Sequence, residues 1–165
     1  MALLVALLKL AHVFAGFWLV AGLVGRGVTQ VRAERTDDVG TVKVLVELIG
    51  RFDSLMVIPA STVVLALGLV AAWIEGLPIL GFLQGAHTNW LFVALVLYLS
   101  IMVLVPTVFI PRGKRFGVSL DDAIRAGSVT ERLRSAFRDP VVRAAHVWEL
   151  IAIALIIWLM ILKPF

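Results

Sequence analysis

The sequence predicts an all-α integral membrane protein, built as a four-helix antiparallel bundle. Of its 165 residues, 61% are hydrophobic and 16% are charged, whereas in soluble domains about half are apolar and about a quarter are charged. The chain contains apolar stretches of about 20 residues, the length that crosses a bilayer. Its basic residues are concentrated in two of the three connections between these stretches. These observations predict a single transmembrane domain over residues 1–165.

The first helix is predicted over residues 3–25, an apolar run interrupted by Lys9 and His12. Residues 1–8 lack the basic start of a secretory signal, so we expect a retained helix rather than a cleaved peptide. Small residues give this helix a flank on which another helix can pack closely: Gly16, Ala21, Gly22 and Gly25.

An amphipathic lead-in over residues 38–51 precedes the second helix, which is predicted over residues 52–73. Pro59 predicts a kink, and the hydroxyls of Ser61 and Thr62 are placed to bond the carbonyls that the proline frees. Three residues ahead of the lead-in are candidate N-caps: Thr36, Asp37 and Asp38.

Residues 75–89 are rich in Gly and Pro and contain no Lys or Arg, which predicts a short connection rich in turns. Trp73 and Trp90 flank this connection, and tryptophan is typical of the membrane interface. The third helix is predicted over residues 90–110; it contains Pro106 and ends at Pro111.

A polar connection over residues 112–139 follows, with two short helical segments that we predict to be capped at Ser119 and Ser128. Gly127 is the predicted end of the first of them.

The fourth helix is predicted over residues 140–162, because Asp139 followed by Pro140 is a typical helix start. His146 and Glu149 lie three residues apart and therefore share a face of this helix.

The distribution of Lys and Arg predicts the orientation, since short cytoplasmic connections are enriched in both. Twelve of the 15 basic residues lie in the first and third connections, and Arg143 lies in the first turn of the fourth helix beside the third connection. We therefore expect both of these connections to be cytoplasmic and both chain ends to be on the outer side of the cell inner membrane. The basic surface is explained by anionic lipid headgroups rather than by nucleic acid.

Lys9, His12 and Glu149 are the ionisable residues deepest in the predicted helices. His12 is roughly 14 Å from the outer end of its helix, and Glu149 reaches a similar level in the fourth helix. If these two helices are neighbours, the three side chains form a buried polar cluster. Such a cluster serves as a structural clasp between helices or as a proton or small-cation carrier that rocks at Pro59 and Pro106.

His12 is also a candidate axial ligand of a b-type haem, because histidine is a common haem ligand and the neighbouring helix walls are apolar and aromatic. His12 and His146 do not form a ligand pair, because their levels differ by roughly 9 Å. The aromatic residues that would suit a porphyrin are Phe14, Phe17, Trp18 and Trp148. The chain has no cysteine, which excludes disulfides and thiolate metal sites, and no spacing typical of a protein-bound metal ion.

Several segments in order resemble a family of bacterial predicted integral membrane proteins of unknown function, grouped with the copper-resistance protein D superfamily. The segments are LLKLAHVFAGFWLVAG, RFDSLMVIPAS, EGLPILG, VLVPTVFIPRGKR, the connection from SLDDAIRAG to DPVVRAA, and LMILKPF. The resemblance implies a four-helix membrane bundle. In this superfamily the HemJ-type protoporphyrinogen oxidase has a haem-associated histidine in helix one, and His12 occupies a comparable place.

The function predicted from these features is non-catalytic: a packing or accessory subunit, as a homo-oligomer or within a larger membrane complex. Packing glycines, interface tryptophans and basic connections dominate the sequence, and these features build and orient helices. The alternatives are the b-type haem protein that uses His12 and the carrier that uses Lys9, His12 and Glu149.

Overall fold

A computed structural model describes residues 2–164, and 87% of these residues are helical. Four segments are long and apolar enough to cross a membrane, which confirms the predicted all-α membrane fold. They are Ala2–Arg35, Val39–Ile74, Trp90–Ala126 and Glu131–Leu162. No strand occurs among the described residues.

The elements are numbered in chain order. They are α1 (Ala2–Arg35), α2 (Val39–Phe52), a first π-helical turn (Asp53–Val57), α3 (Ile58–Ile74), a short 3-10 turn (Gly81–Gln84), α4 (Trp90–Leu104), a second π-helical turn (Val105–Phe109), α5 (Ile110–Ala126), α6 (Glu131–Phe137) and α7 (Pro140–Leu162). The chain divides into a first unit, residues 2–77 with 123–129, and a second unit, residues 78–122 with 130–164.

In the first unit α1 packs antiparallel against α2, the first π-helical turn and α3. Two of the predicted packing glycines are at this crossing. A Cβ at Gly22 would lie 2.8 Å from the Cβ of Met56, and one at Gly25 would lie 2.5 Å from Cε1 of Phe52. Only glycine permits this approach. Gly16 is different, since a Cβ there would meet no atom within 4 Å.

The two π-helical turns explain how the long helices accommodate proline. Each turn ends two residues before a proline, at Pro59 and Pro111. In each turn the following isoleucine bonds five residues back: Ile58 N–H donates to Asp53 O, and Ile110 N–H donates to Val105 O. A proline ring clashes with the carbonyl four residues before it, and the wider turn relieves that clash.

The hydroxyls near Pro59 bond the carbonyl of Ile58, whereas the carbonyl that the proline frees is that of Leu55, four residues before it. Ser61 Oγ donates to Ile58 O at 2.8 Å, and Thr62 Oγ1 donates to the same oxygen at 3.1 Å. These bonds satisfy backbone oxygen where no water is available in a bilayer.

In the second unit α4 and the second π-helical turn pack antiparallel against α7. Trp148 Nε1 donates to Ser100 Oγ at 3.0 Å, and Arg112 pairs with Asp139 where α7 begins. At the other end of α7, Lys163 Nζ lies 5.4 Å from the ring centroid of Trp90. Polar contacts therefore join this helical pair along its whole length.

The structure differs from the sequence prediction in the polar connection. α5 continues through Ser119 to Ala126, and Ser119 Oγ donates to Arg115 O within the helix instead of capping a new one. Thr130 caps α6 by accepting from Leu133 N–H at 3.2 Å, in place of the predicted Ser128. Gly127 ends α5 as predicted, with a left-handed φ of 68°.

Candidate functional site

His12 is fixed against α3 by a hydrogen bond that selects its tautomer. Its Nδ1 lies 2.9 Å from the carbonyl oxygen of Val64, an oxygen that can only accept. Nδ1 therefore carries the proton, which leaves the lone pair of the neutral ring on Nε2. Gly68 makes room for the ring, because a Cβ there would lie 2.9 Å from His12 Cε1.

The second ring nitrogen of His12 makes no hydrogen bond within residues 2–164. An imidazole that donates Nδ1–H to a backbone carbonyl and offers Nε2 has the arrangement in which histidine binds metals, because the donated bond fixes ring orientation and raises basicity. His12 is half-buried. It is thus oriented by the fold and able to bind a proton or a metal centre.

Lys9, one turn before His12, pairs with Glu75. Lys9 Nζ lies 2.5 Å from Glu75 Oε1, with the side chains 51% and 28% exposed. Glu75 is the C-terminal cap of α3. Glu75 was predicted to lie in the connection over residues 75–89, and its pair with Lys9 was missed. The pair depends on the antiparallel register between α1 and α3, for which the sequence offers no signal.

Arg26 and Asp53 form a second ion pair in the first unit, which was also missed. Arg26 Nη1 lies 3.1 Å from Asp53 Oδ1. The arginine side chain is only 12% exposed, so its charge depends on polar neighbours. Asp53 begins the first π-helical turn, and the pair therefore ties α1 to the point where the proline-adapted turn starts.

Glu149 and His146 form a pair in the second unit, on the shared face of α7 that their spacing predicts. Glu149 is 5% exposed, and its Oε2 lies 3.3 Å from His146 Nδ1. The His146 ring stacks on Phe109, with ring centroids 4.8 Å apart and an angle of 24° between the planes. Phe109 is the last residue of the second π-helical turn.

The structure gives each member of the predicted cluster a partner within its own unit. Lys9 and His12 are one turn apart on α1 and contact Glu75 and Val64, while Glu149 contacts His146. A cluster of Lys9, His12 and Glu149 together stays a prediction, as does the carrier mechanism based on it. Within residues 2–164 no three His, Asp or Glu side chains are grouped as ligands of one metal ion.

The comparisons with known proteins agree with the membrane fold. No curated protein and no solved structure matches the chain. The family model described as "Predicted integral membrane protein (DUF2269)" matches residues 6–164, nearly the whole sequence and all four membrane-length segments. The chain therefore belongs to the DUF2269 family of predicted integral membrane proteins.

Proposed function

We propose that this protein is a non-catalytic packing or accessory subunit of an assembly in the cell inner membrane. The observation that carries the proposal is the use of charged side chains as bonds between helices. Lys9 with Glu75 joins α1 to the end of α3, and Arg26 with Asp53 joins α1 to the first π-helical turn. Charged side chains that form ion pairs between helices build a rigid scaffold.

The outer faces of the helices support the same role. Large apolar side chains on α1 are exposed, including Phe14 at 64% and Phe17 at 67%. Gly16 lies among them and has open space where a Cβ would be. In membranes, close helix association depends on small residues that let backbones approach. Gly16 is thus a contact point for another membrane helix, from a second copy or from a partner chain.

Native mass spectrometry of the protein extracted in mild detergent tests this role. We expect a species larger than a single 18.0 kDa chain, and we expect Gly16→Leu to reduce it to the single chain. Gly50→Leu is the matched control, because Gly50 also has open space but lies in the polar lead-in. A strictly monomeric, colourless protein with no second chain would contradict the proposal.

The proposed orientation has both chain ends outside and the basic connections in the cytoplasm, next to anionic lipid headgroups. It rests on the enrichment of Lys and Arg in cytoplasmic connections. A reporter that is active only in the periplasm, fused after Phe165, should be active. An active cytoplasmic reporter at the same position would reverse the orientation.

A second candidate function is b-type haem binding through His12, in line with the proposed relation to the copper-resistance protein D superfamily. The favouring observation is the ring geometry, since Nδ1 is bound to Val64 O and Nε2 has no partner within residues 2–164. The lone pair of Nε2 suits haem iron, which binds a neutral imidazole nitrogen. A bound haem would supply one-electron transfer, while the chain would hold the iron and keep the imidazole in one orientation.

An absorption spectrum of the protein, purified after expression with ample haem, tests this second candidate. The expected result is a Soret band that His12→Ala abolishes and that His87→Ala, in the exposed connection, leaves intact. A flat spectrum of the wild-type protein would remove haem binding and leave the subunit role untouched.

A further inference from the structure

We propose that His146 and Glu149 form a proton-exchanging site within the membrane-spanning part of α7, and that the pair takes up one proton as a unit. This site is separate from His12 and goes beyond the role of a packing subunit. It stands on the geometry of the second unit alone.

The position of Glu149 is the first step of the argument. Its side chain is 6% exposed, in a helix that is otherwise apolar from Leu150 to Leu162. An ionised carboxylate is costly in such a place, so intramembrane acids pair with other groups and mark functional pathways. The partner here is His146, whose Nδ1 is 3.3 Å from Glu149 Oε2.

His146 is placed between Glu149 and the polar end of α7. It lies three residues nearer to that end, a distance of about 4.5 Å along the helix axis, and its side chain is 23% exposed. The same end carries the pair of Arg112 and Asp139. A proton that enters from water at this end therefore reaches the imidazole before it reaches the buried carboxylate.

The pair of His146 and Glu149 has two states that differ by one proton. In the unloaded state a neutral imidazole donates Nδ1–H to the Glu149 carboxylate, and the pair has a charge of minus one. One proton from water gives the loaded state, which has no net charge as imidazolium with carboxylate or as imidazole with carboxylic acid. Release returns that proton to water. Because the two groups are coupled, their titration belongs to the pair.

Few other titratable groups of the second unit adjoin the pair. The elements of this unit packed on α7 are α4 and the second π-helical turn. α4 carries one titratable residue, Tyr98, and the π-helical turn carries none. On α7 itself Arg143 lies one turn nearer the polar end.

The stacking of His146 on Phe109 gives proton uptake a structural readout. The two rings are 4.8 Å apart between centroids and nearly parallel. A positive charge on the imidazole strengthens its attraction to the aromatic face. Loading therefore changes the environment of a residue that belongs to the second π-helical turn.

The experiment is a pH titration of the full chain in lipid nanodiscs, followed by two probes. The chain has three histidines, so ¹⁵N-histidine NMR resolves the His146 ring, with His12→Gln and His87→Gln assigning the other two. Infrared difference spectroscopy follows the carbonyl band of a protonated carboxyl. We expect the His146 signal and the Phe109 ring signals to change with a common midpoint, and any carboxyl band that appears on loading to follow the same midpoint.

Two substitutions identify the groups. Glu149→Gln should remove that carboxyl band and change the His146 titration, because the two groups no longer exchange a proton as a pair. Glu149→Asp, which keeps a carboxylate, should retain the coupled titration if the Gln variant does not fold. Glu75→Gln is the control that should leave both signals unchanged. The proposal is overturned if His146 keeps one protonation state over the pH range in which the chain stays folded, or titrates unchanged in Glu149→Gln.

Discussion

At the scale of single residues, the orientation of His12 depends on one backbone carbonyl, that of Val64, which accepts from its Nδ1. An ionisable residue in an apolar run is visible in the sequence, so Lys9, His12 and Glu149 could be selected from it. Their contacts depend on the register between helices, which composition does not encode. Val64 could not be found at all, because it contributes its backbone carbonyl and any residue supplies that group.

Gly68 is the residue that lets His12 reach this carbonyl. We expect Gly68→Ala to break the bond between His12 Nδ1 and Val64 O, because the added Cβ would lie 2.9 Å from Cε1 and 3.2 Å from Nδ1 of the ring. Overpacking of this kind costs about 1–3 kcal/mol. The measurement is unfolding in mixed detergent micelles.

Gly50→Ala is the matched control for that experiment. A Cβ at Gly50 meets no atom within 4 Å, and alanine is favoured over glycine in a helix. We expect unchanged or slightly higher stability. Equal destabilisation by both substitutions would show that the space around Gly68 is not specific to His12.

Asp38 provides a prediction about pH outside the membrane-spanning segments. Hydrogen bonds from the Thr41 side chain and the Thr41 amide lower the pKa of the Asp38 carboxyl below its usual 3.8. The folded state therefore holds this proton less tightly than the unfolded chain. The contribution of this cap to helix stability is present above the unfolded pKa, and it is lost as the pH falls through the lower folded pKa.

The Thr41 amide shift in an NMR titration of the full chain measures this effect. The midpoint of this shift change should lie below pH 3.8. The shift change should be absent in Asp38→Asn, which keeps a capping oxygen but cannot titrate. A midpoint at or above the usual value would contradict the bonding described for Asp38.

At the scale of elements, the sequence predicted irregular helices at proline but not the form of the irregularity. Pro59 and Pro111 both follow an isoleucine that bonds five residues back, so the helix widens before the proline. A kink, an unpaired carbonyl and a π-helical turn are alternative responses to the same missing N–H. The choice among them depends on the neighbouring helix, and here Gly22 of α1 contacts the first turn.

A disulfide can test that contact, since the natural chain has no cysteine. Gly22→Cys with Met56→Cys should crosslink readily on oxidation, because a Cβ at Gly22 would lie 2.8 Å from the Met56 Cβ and disulfides join Cβ atoms about 3.8 Å apart. Because the first separation is shorter than the second, the two helices need only a small outward shift for the disulfide to form. Gel mobility without reductant measures the crosslink.

Gly16→Cys with Met56→Cys is the control pair. A Cβ at Gly16 has no neighbour within 4 Å, so this pair should stay reduced within one chain. Equal crosslinking of both pairs would mean that α1 slides along the first π-helical turn, and the register described for the first unit would be wrong.

At the scale of the whole molecule, fold class was predictable because membrane insertion depends mainly on length and hydropathy. The four segments Ala2–Arg35, Val39–Ile74, Trp90–Ala126 and Glu131–Leu162 satisfy both requirements. Their ends were harder to predict. α1 continues ten residues past Gly25, because loss of hydropathy ends a membrane span without ending a helix.

Orientation is the property of the whole molecule that charge should control. The first connection has five basic residues and the third has seven, with Arg143 just inside the helix that follows, so each alone should hold its side of the protein in the cytoplasm. Replacing the basic residues of the third connection by glutamine should therefore leave the orientation unchanged, because the first connection still directs insertion. Replacing those of both connections should give a mixed population, since no bias remains.

Paired periplasmic and cytoplasmic reporters after Phe165 measure the two populations, and variants with the same number of glutamines placed at exposed polar positions control for altered expression. A complete inversion after neutralising the third connection alone would show that the first connection does not direct insertion.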